Sequence, residues 1–369
     1  MKILHITPLF DPELGGIETF TSSLVAGLAA CGHRMCVVAS HGALSLPDES
    51  SHGAVPVHRL PLFAALEERD PLGLLEAKRR MTAIKKAFAP DVVHLHVGGP
   101  IAVLHLWTEA ESPAPLVVTA YDLPPAGMES PTILEVLVRA KRVAAISDAR
   151  LRDLQRMLPA VAPSVTRIYP RLPAAAPLAD EGVEKAEHPV LFVAGRLVPE
   201  KGFGVAVGAF ARIHERRRDA RLVIAGDGPM RAALRAEVRR RGLEASILLT
   251  GRLPRDELAA WYRRAWVTLM PSRHSESFGL VALEAMQAAC PVVASRIGGL
   301  EEVVADGETG TLVPPDDEEA LCRAVEALLA DEALRLRMGA SGRRRARAVF
   351  DWREGLEAYE RLYDEASRL

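Results

Sequence analysis

Cysteine is scarce in this chain of 369 residues. The four present, Cys31, Cys36, Cys290 and Cys322, have none of the close spacings of a metal-binding pair. They read as buried thiols in a reducing compartment. Long apolar runs are missing too: none without charges approaches the ~18–20 residues of a membrane span. The opening MKILHITPLF has too short an apolar run for a secretory signal and no small-residue cleavage site, so it reads as a first buried strand. These absences place the protein in the cytoplasm. Net charge is also small, −2, which gives no electrostatic case for a nucleic-acid partner. Seven of the 46 basic residues are lysine, a skew that reads as codon bias rather than binding.

What is present is ordinary globular material, 49% hydrophobic and 25% charged, long enough for two or three domains. Short β-rich runs alternate with helical patterns: KILHIT, MCVVAS, DVVHLH, LVVTA and RVAAIS in the first half, VLFVAG, RLVIAG, SILLTG, WVTLM, PVVAS and GTLVP in the second. Runs apolar throughout predict strands buried on both faces, hence parallel sheets of the βαβ kind. Between Ile168 and Val190 the rhythm stops in a proline-rich, charged stretch that reads as a linker. The fold class is α/β, two doubly wound halves, whose ligands sit beyond the carboxyl ends of the strands.

Three stretches at such places carry candidate chemistry. In AGRLVPEKG, Arg196 and Lys201 lie in a strand-to-helix loop with glycines at both ends. Arginine offers a planar fork and lysine a compact charge, a pair suited to a diphosphate; a solvated loop with ordinary charges fits as well. In HSESFGLVALEAM, Glu276 and Glu284 are eight residues apart, about 12 Å if all were helical, on one helix face. That is wider than a glycosidase acid/base pair, roughly 5 to 9.5 Å. It suits a ligand with two hydroxyl-bearing ends, and the intervening amides at a helix start favour an anion. A solvated helix residue and a charge aligned with the helix dipole remain the plain alternative. In PELGGIET, Gly15 and Gly16 let backbone approach a ligand before a helix, although a plain turn explains them and G-x-G-x-x-G spacing is absent.

Together with GDGP (Gly226–Pro229), GGLEEVV (Gly298–Val304) and DGETGTLVPPDD (Asp306–Asp317), these stretches resemble the family-4 retaining glycosyltransferases, over essentially the whole chain. The resemblance implies a GT-B fold: two Rossmann-like domains facing a cleft, with a C-terminal helix crossing back to the first. It implies an acceptor-binding domain over residues 1–175 with 353–369 returning, Trp352 near the crossover, and a donor-binding domain over 183–352. Arg196 and Lys201 would hold the phosphates of a nucleotide-diphosphate sugar, and Glu284 the ribose hydroxyls. Glu276, with the backbone of Ser277, Phe278, Gly279 and Leu280, would hold the sugar and phosphates. Gly16 would lie over the diphosphate, with Gly15 and Gly226 also in the donor-binding set.

The implied reaction breaks an anomeric C–O bond and builds negative charge on the departing phosphate. With no convincing D-x-D, Asp316 and Asp317 being adjacent, fixed cations and helix-end amides are expected to stabilise that charge without a metal or other cofactor. Retention is expected without an enzyme nucleophile, the leaving phosphate oxygen taking the acceptor's proton. One departure stands out. Where relatives carry VVTxHD, this chain has VVTAYD, so Tyr121, followed by Asp122, replaces a histidine that approaches the transferred sugar. A phenol with pKa near 10 is a poor proton shuttle. His94 and His96 are nearby strand-end candidates, and the catalytic set is read as Glu276, Tyr121 and His96.

The acceptor is left as a carbohydrate, a lipid-linked group or a small molecule. A nucleotide-sugar epimerase, a sugar-phosphate synthase and a non-catalytic nucleotide-sugar-binding protein are the rival readings. Finally, LGLLEAKRRMTAIKKAF sets Leu74, Met81, Ile84 and Phe88 against Lys78, Arg79, Lys85 and Lys86. Such a helix either lies on anionic lipid at the inner membrane face or packs on the sheet.

Overall fold

The computed structural model describes residues 1–13, 15–97, 99–121, 130–173, 185–274 and 276–369. Asp122 and residues 174–184, which hold the expected domain limits 175 and 183 and part of the expected linker, lie outside them. The chain divides into two compact units: Met1–Arg171 with Trp352–Leu369, and Leu172–Asp351.

The first unit holds β1 (Lys2–Ile6), β2 (Arg34–Ser40), β3 (Glu49–His52), β4 (Val55–Leu60), β5 (Val92–Val97), β6 (Leu116–Ala120), β7 (Arg142–Ala145) and β8 (Val165–Arg167). Their order in the sheet is β3-β4-β2-β1-β5-β6-β7-β8. The strands read from apolar runs are buried on both faces, as in β5, where every residue is buried. Three strands escape that reading. β3 is polar ESSH, β4 carries Pro56, and β8 is the three residues VTR. β3 runs antiparallel to β4 at the sheet edge, so this sheet is not purely parallel.

Helix Pro71–Phe88 turns the apolar stripe read from the sequence inward. Met81 is buried, and Leu74, Ile84 and Phe88 pack against the core of the same unit. The basic side is also broken, because Lys85 points inward: its ammonium donates to Thr108 Oγ1 at 2.8 Å and to the His105 carbonyl at 3.3 Å. Lys86 and Arg79 pair with Glu111 and Glu76. The four residues of the expected stripe thus face the protein core, while Leu72 and Leu75 of the same helix are exposed. Among the described residues no helix is long and apolar enough to cross a membrane. Cys31 is exposed, unlike the other three cysteines, so the expectation of four buried thiols holds for three.

The last helix, Trp352–Ser367, belongs to the first unit. It buries Leu356, Tyr359, Leu362, Tyr363 and Ala366, a three-and-four spacing that makes one apolar face. Gly27 leaves the room for it: a Cβ there would come within 2.6 Å of the Trp352 ring.

The second unit holds β9 (Val190–Ala194), β10 (Arg221–Ala225), β11 (Ile247–Gly251), β12 (Val267–Met270), β13 (Val292–Ser295) and β14 (Gly310–Val313). All pairings are parallel, in the order β11-β10-β9-β12-β13-β14. The order reverses between β9 and β12, and the loops leaving the carboxyl ends of those two strands therefore flank a topological switch point.

Candidate active site

The loop after β9 carries Arg196 and Lys201. Its path is fixed by backbone bonds to the loop after β10: Leu197 N–H donates to the Asp227 carbonyl at 2.9 Å, and Met230 N–H to the Leu197 carbonyl at 2.9 Å. Gly226 and Gly228 permit that approach, since a side chain on either would strike the Gly195–Leu197 backbone. Gly226 thus supports the Arg196 loop. Arg196 is exposed and makes no ion pair with a described residue. Lys201 ends a single 3₁₀ turn, and Gly202, at φ 66°, turns the chain into helix Phe203–Arg216.

The loop after β12 carries the partner of Lys201. The lysine ammonium donates to Glu276 Oε2 at 2.7 Å, and Ser272 Oγ donates to the same oxygen at 3.0 Å. Glu276 is 8% exposed and Ser272 2%, whereas the Lys201 side chain is 33% exposed. The Glu276 backbone is clamped in turn, its carbonyl accepting from Gly299 N–H at 2.8 Å. This is the local work of the two glycines in GGLEEVV: a Cβ at Gly298 would lie 2.4 Å from the Glu276 carbonyl oxygen, and one at Gly299 2.4 Å from Phe278 Cα.

From Glu276 the chain turns before any helix forms. Gly279 is left-handed at φ 110°, and the helix runs over Leu280–Gln287. The segment is therefore not helical throughout, and the shared-face argument for Glu276 and Glu284 does not apply. Ser277, Gly279 and Leu280 offer backbone at this turn, while the Phe278 ring is buried edge-on against Phe350, centroids 5.6 Å apart. Glu284 has its own surroundings. It accepts from Tyr262 OH at 2.9 Å, and burial pushes its carboxyl above the usual carboxylate range. With Arg255, Tyr262 and Gln287 it lines a hollow of about 30 Å³.

The adjacent aspartates have structural partners. Asp316 accepts from Arg273 Nε at 2.5 Å, and Asp317 caps helix Glu318–Ala330 through Ala320 N–H.

In the first unit, Gly15 and Gly16 open helix Gly16–Ala30, Gly16 exposed and Gly15 in extended backbone. Tyr121 follows β6 and is 5% exposed; His96 in β5 is wholly enclosed. Their side chains meet at 2.8 Å, Tyr121 OH to His96 Nδ1. The other nitrogen of His96 lies 2.9 Å from His5 Nδ1. His94 is bound by Tyr363 OH and Thr119 Oγ1, each at 2.8 Å. The three imidazoles lie close enough to be considered as metal ligands, but five of their six nitrogens already have protein partners and only His5 Nε2 has none. Burial pushes His5 down to about 3 and His94 and His96 well below the ordinary value, so the rings are neutral. The arrangement is a hydrogen-bonded core. It leaves His96 no surface to offer a substrate.

Sequence reasoning missed Ser272 and Tyr262. The signal for Ser272 was its place directly beyond a buried strand end; Tyr262 looked like any helix aromatic.

Residues 178–345 match the family described as Glycosyl transferases group 1, and residues 15–171 match the Glycosyl transferase 4-like domain. The chain is 32% identical to alpha-maltose-1-phosphate synthase of Mycobacterium tuberculosis, over 95% of its own length and 96% of the relative's. The chain belongs to the group 1 glycosyl transferases. It is also 28% identical to a glycogen synthase of Mycobacterium tuberculosis, over 100% of this chain and 95% of that one. Among solved structures, sucrose-phosphate synthase from Thermosynechococcus elongatus superposes with a TM-score of 0.84 at 25% identity, covering 99% of this chain and 98% of that one. This group 1 glycosyl transferase has the GT-B fold, is an enzyme, and uses a nucleotide sugar as donor.

Proposed function

We propose that the enzyme moves a sugar from a nucleotide-diphosphate sugar to an acceptor hydroxyl, with retention at the anomeric carbon and without a divalent metal. The donor is assigned to the second unit and the acceptor to the first. The observation that carries the donor assignment is the Lys201–Glu276 pair joining the two loops at the switch point of the second sheet. A cation held there suits a diphosphate, and the exposed Arg196 guanidinium adds a planar fork for the same group. Glu284 is assigned to the ribose hydroxyls, and the amides at the turn into helix Leu280–Gln287 to the donor's anionic end.

In the reaction the anomeric C–O bond to phosphate breaks as the bond to the acceptor oxygen forms. The leaving phosphate oxygen receives the acceptor's proton on the same face, and Arg196 and Lys201 offset the charge that develops there. We assign no proton transfer to Tyr121 or His96. Burial holds the phenol well above and the imidazole well below their ordinary pKa values, so neither exchanges a proton readily near neutrality.

The test is release of nucleoside diphosphate from UDP-, GDP- and ADP-sugars across an acceptor panel, with NMR of the new linkage. Release that requires acceptor, with the donor's anomeric configuration kept, is the expected result. Conversion of the sugar without acceptor would instead indicate an epimerase.

A further inference from the structure

The phosphate reading leaves one contact unexplained: the lysine assigned to the donor already holds a carboxylate. We propose that Glu276 is a built-in competitor for the donor's phosphates, occupying Lys201 in the free enzyme, and that Ser272 is the positioning residue that keeps the carboxylate in place when Lys201 turns to the ligand. The inference rests on the assignment of Lys201 to phosphate.

The two sides of the pair are unequally fixed. Glu276 is enclosed, its backbone is clamped by Gly299 N–H, and Gly298 packs against its carbonyl. Lys201 is one-third exposed and has a flexible four-carbon stem. Of the two, the ammonium is the group that can move. When it leaves, Glu276 Oε2 loses one of two donors and keeps the other, the Ser272 hydroxyl, itself 2% exposed. A buried carboxylate with no donor would be costly; with Ser272 it keeps one and stays oriented for the sugar's hydroxyls. In reverse, the fixed carboxylate competes with the product diphosphate for the returning Lys201 ammonium and favours release of the product.

The experiment is calorimetric titration of the full chain with UDP, GDP and ADP. For the nucleotide that binds most tightly, Glu276→Gln is expected to lower Kd by roughly two- to fivefold, the scale of one partly exposed ion pair. Lys201→Ala is expected to raise Kd, and Lys201→Ala with Glu276→Gln to show no gain over Lys201→Ala alone. Glu276→Asp, one methylene shorter, should act in the same direction and serves if the glutamine variant does not fold. An unchanged or raised Kd in the folded Glu276 variant, or a gain that persists without Lys201, overturns the competition. Unchanged affinity in Lys201→Ala, or no binding of any of the three to wild type and variants, fails the phosphate reading itself. For Ser272→Ala the expected result is a lower kcat with donor KM within about twofold, restored by Ser272→Thr; a lower melting temperature with kcat unchanged overturns the positioning role.

Discussion

A Cβ placed on Gly226 would lie 1.9 Å from the carbonyl oxygen of Gly195. The two strand-end loops therefore touch through bare backbone, and Gly226, at φ 140°, holds a conformation that L side chains rarely adopt. Gly226→Ala is expected to cost about 1–3 kcal/mol and to raise donor KM by shifting the Arg196 loop. Thermal denaturation and donor kinetics check both; an unchanged melting temperature would contradict the close packing.

Arg196→Ala separates binding from folding. The guanidinium is exposed and makes no ion pair with a described residue, so the melting temperature should not change. Loss of one preorganised charge at the leaving group is expected to lower donor kcat/KM about 10²- to 10³-fold. Unaltered kinetics would remove Arg196 from the donor site.

Chelation tests the metal-free mechanism. Turnover in EDTA should match turnover in added Mg²⁺ or Mn²⁺, because the leaving charge is assigned to side chains. Activity lost in EDTA and restored by either ion would overturn that assignment.

The strands legible in the sequence were those buried on both faces, because an unbroken apolar run such as VVHLHV has few other readings. ESSH, VPVHRL and VTR were not, since edge strands need no such run and Pro56 argues against one. At the site, the residue types were legible and their pairing was not. Arg196, Lys201 and Glu276 could be picked out as charged groups beyond strand ends and Glu284 as a helix carboxylate, but that Lys201 meets Glu276 depends on the order β9-β12, which adjacency in sequence does not encode. Lys85 misled for a related reason. Helical periodicity placed it with Lys78 and Lys86, and only the packed neighbours reveal an inward ammonium.

Lys85 should mark the pH dependence of stability. Burial lowers its pKa from 10.5 to about 8. Between those values the unfolded chain binds more protons than the folded one, so stability rises with pH from about 8 to 10.5; below 8 the full penalty applies. Lys85→Met is expected to be more stable at pH 7, by about 3 kcal/mol at most, and to lose that alkaline rise. Denaturant titrations across the range decide it.

Glu284 has the opposite protonation preference to an ion-paired carboxylate. Its folded-state pKa lies above the unfolded value, so the folded chain binds the proton more tightly. Stability therefore falls as pH rises from the ordinary carboxylate value, and the loss is complete above the folded pKa. Glu284→Gln should melt no lower than wild type at pH 7 while binding the donor more weakly. A variant that melts lower would contradict the burial penalty on the carboxylate, and one that binds the donor as well would contradict the ribose assignment.

The helix Trp352–Ser367 has a consequence for synthesis. Its tyrosines supply hydroxyls to His94 and Thr119, deep in a sheet whose strands are all made by residue 167. During translation the first lobe to emerge is thus the last to be completed. Until the ribosome has passed residue 363, His94 Nδ1 lacks the Tyr363 hydroxyl and the hydrophobic ring of Phe20 lacks the cover of Tyr359. Nascent chains stalled before that point should bind holdase chaperones through the older lobe, and those released at full length should not.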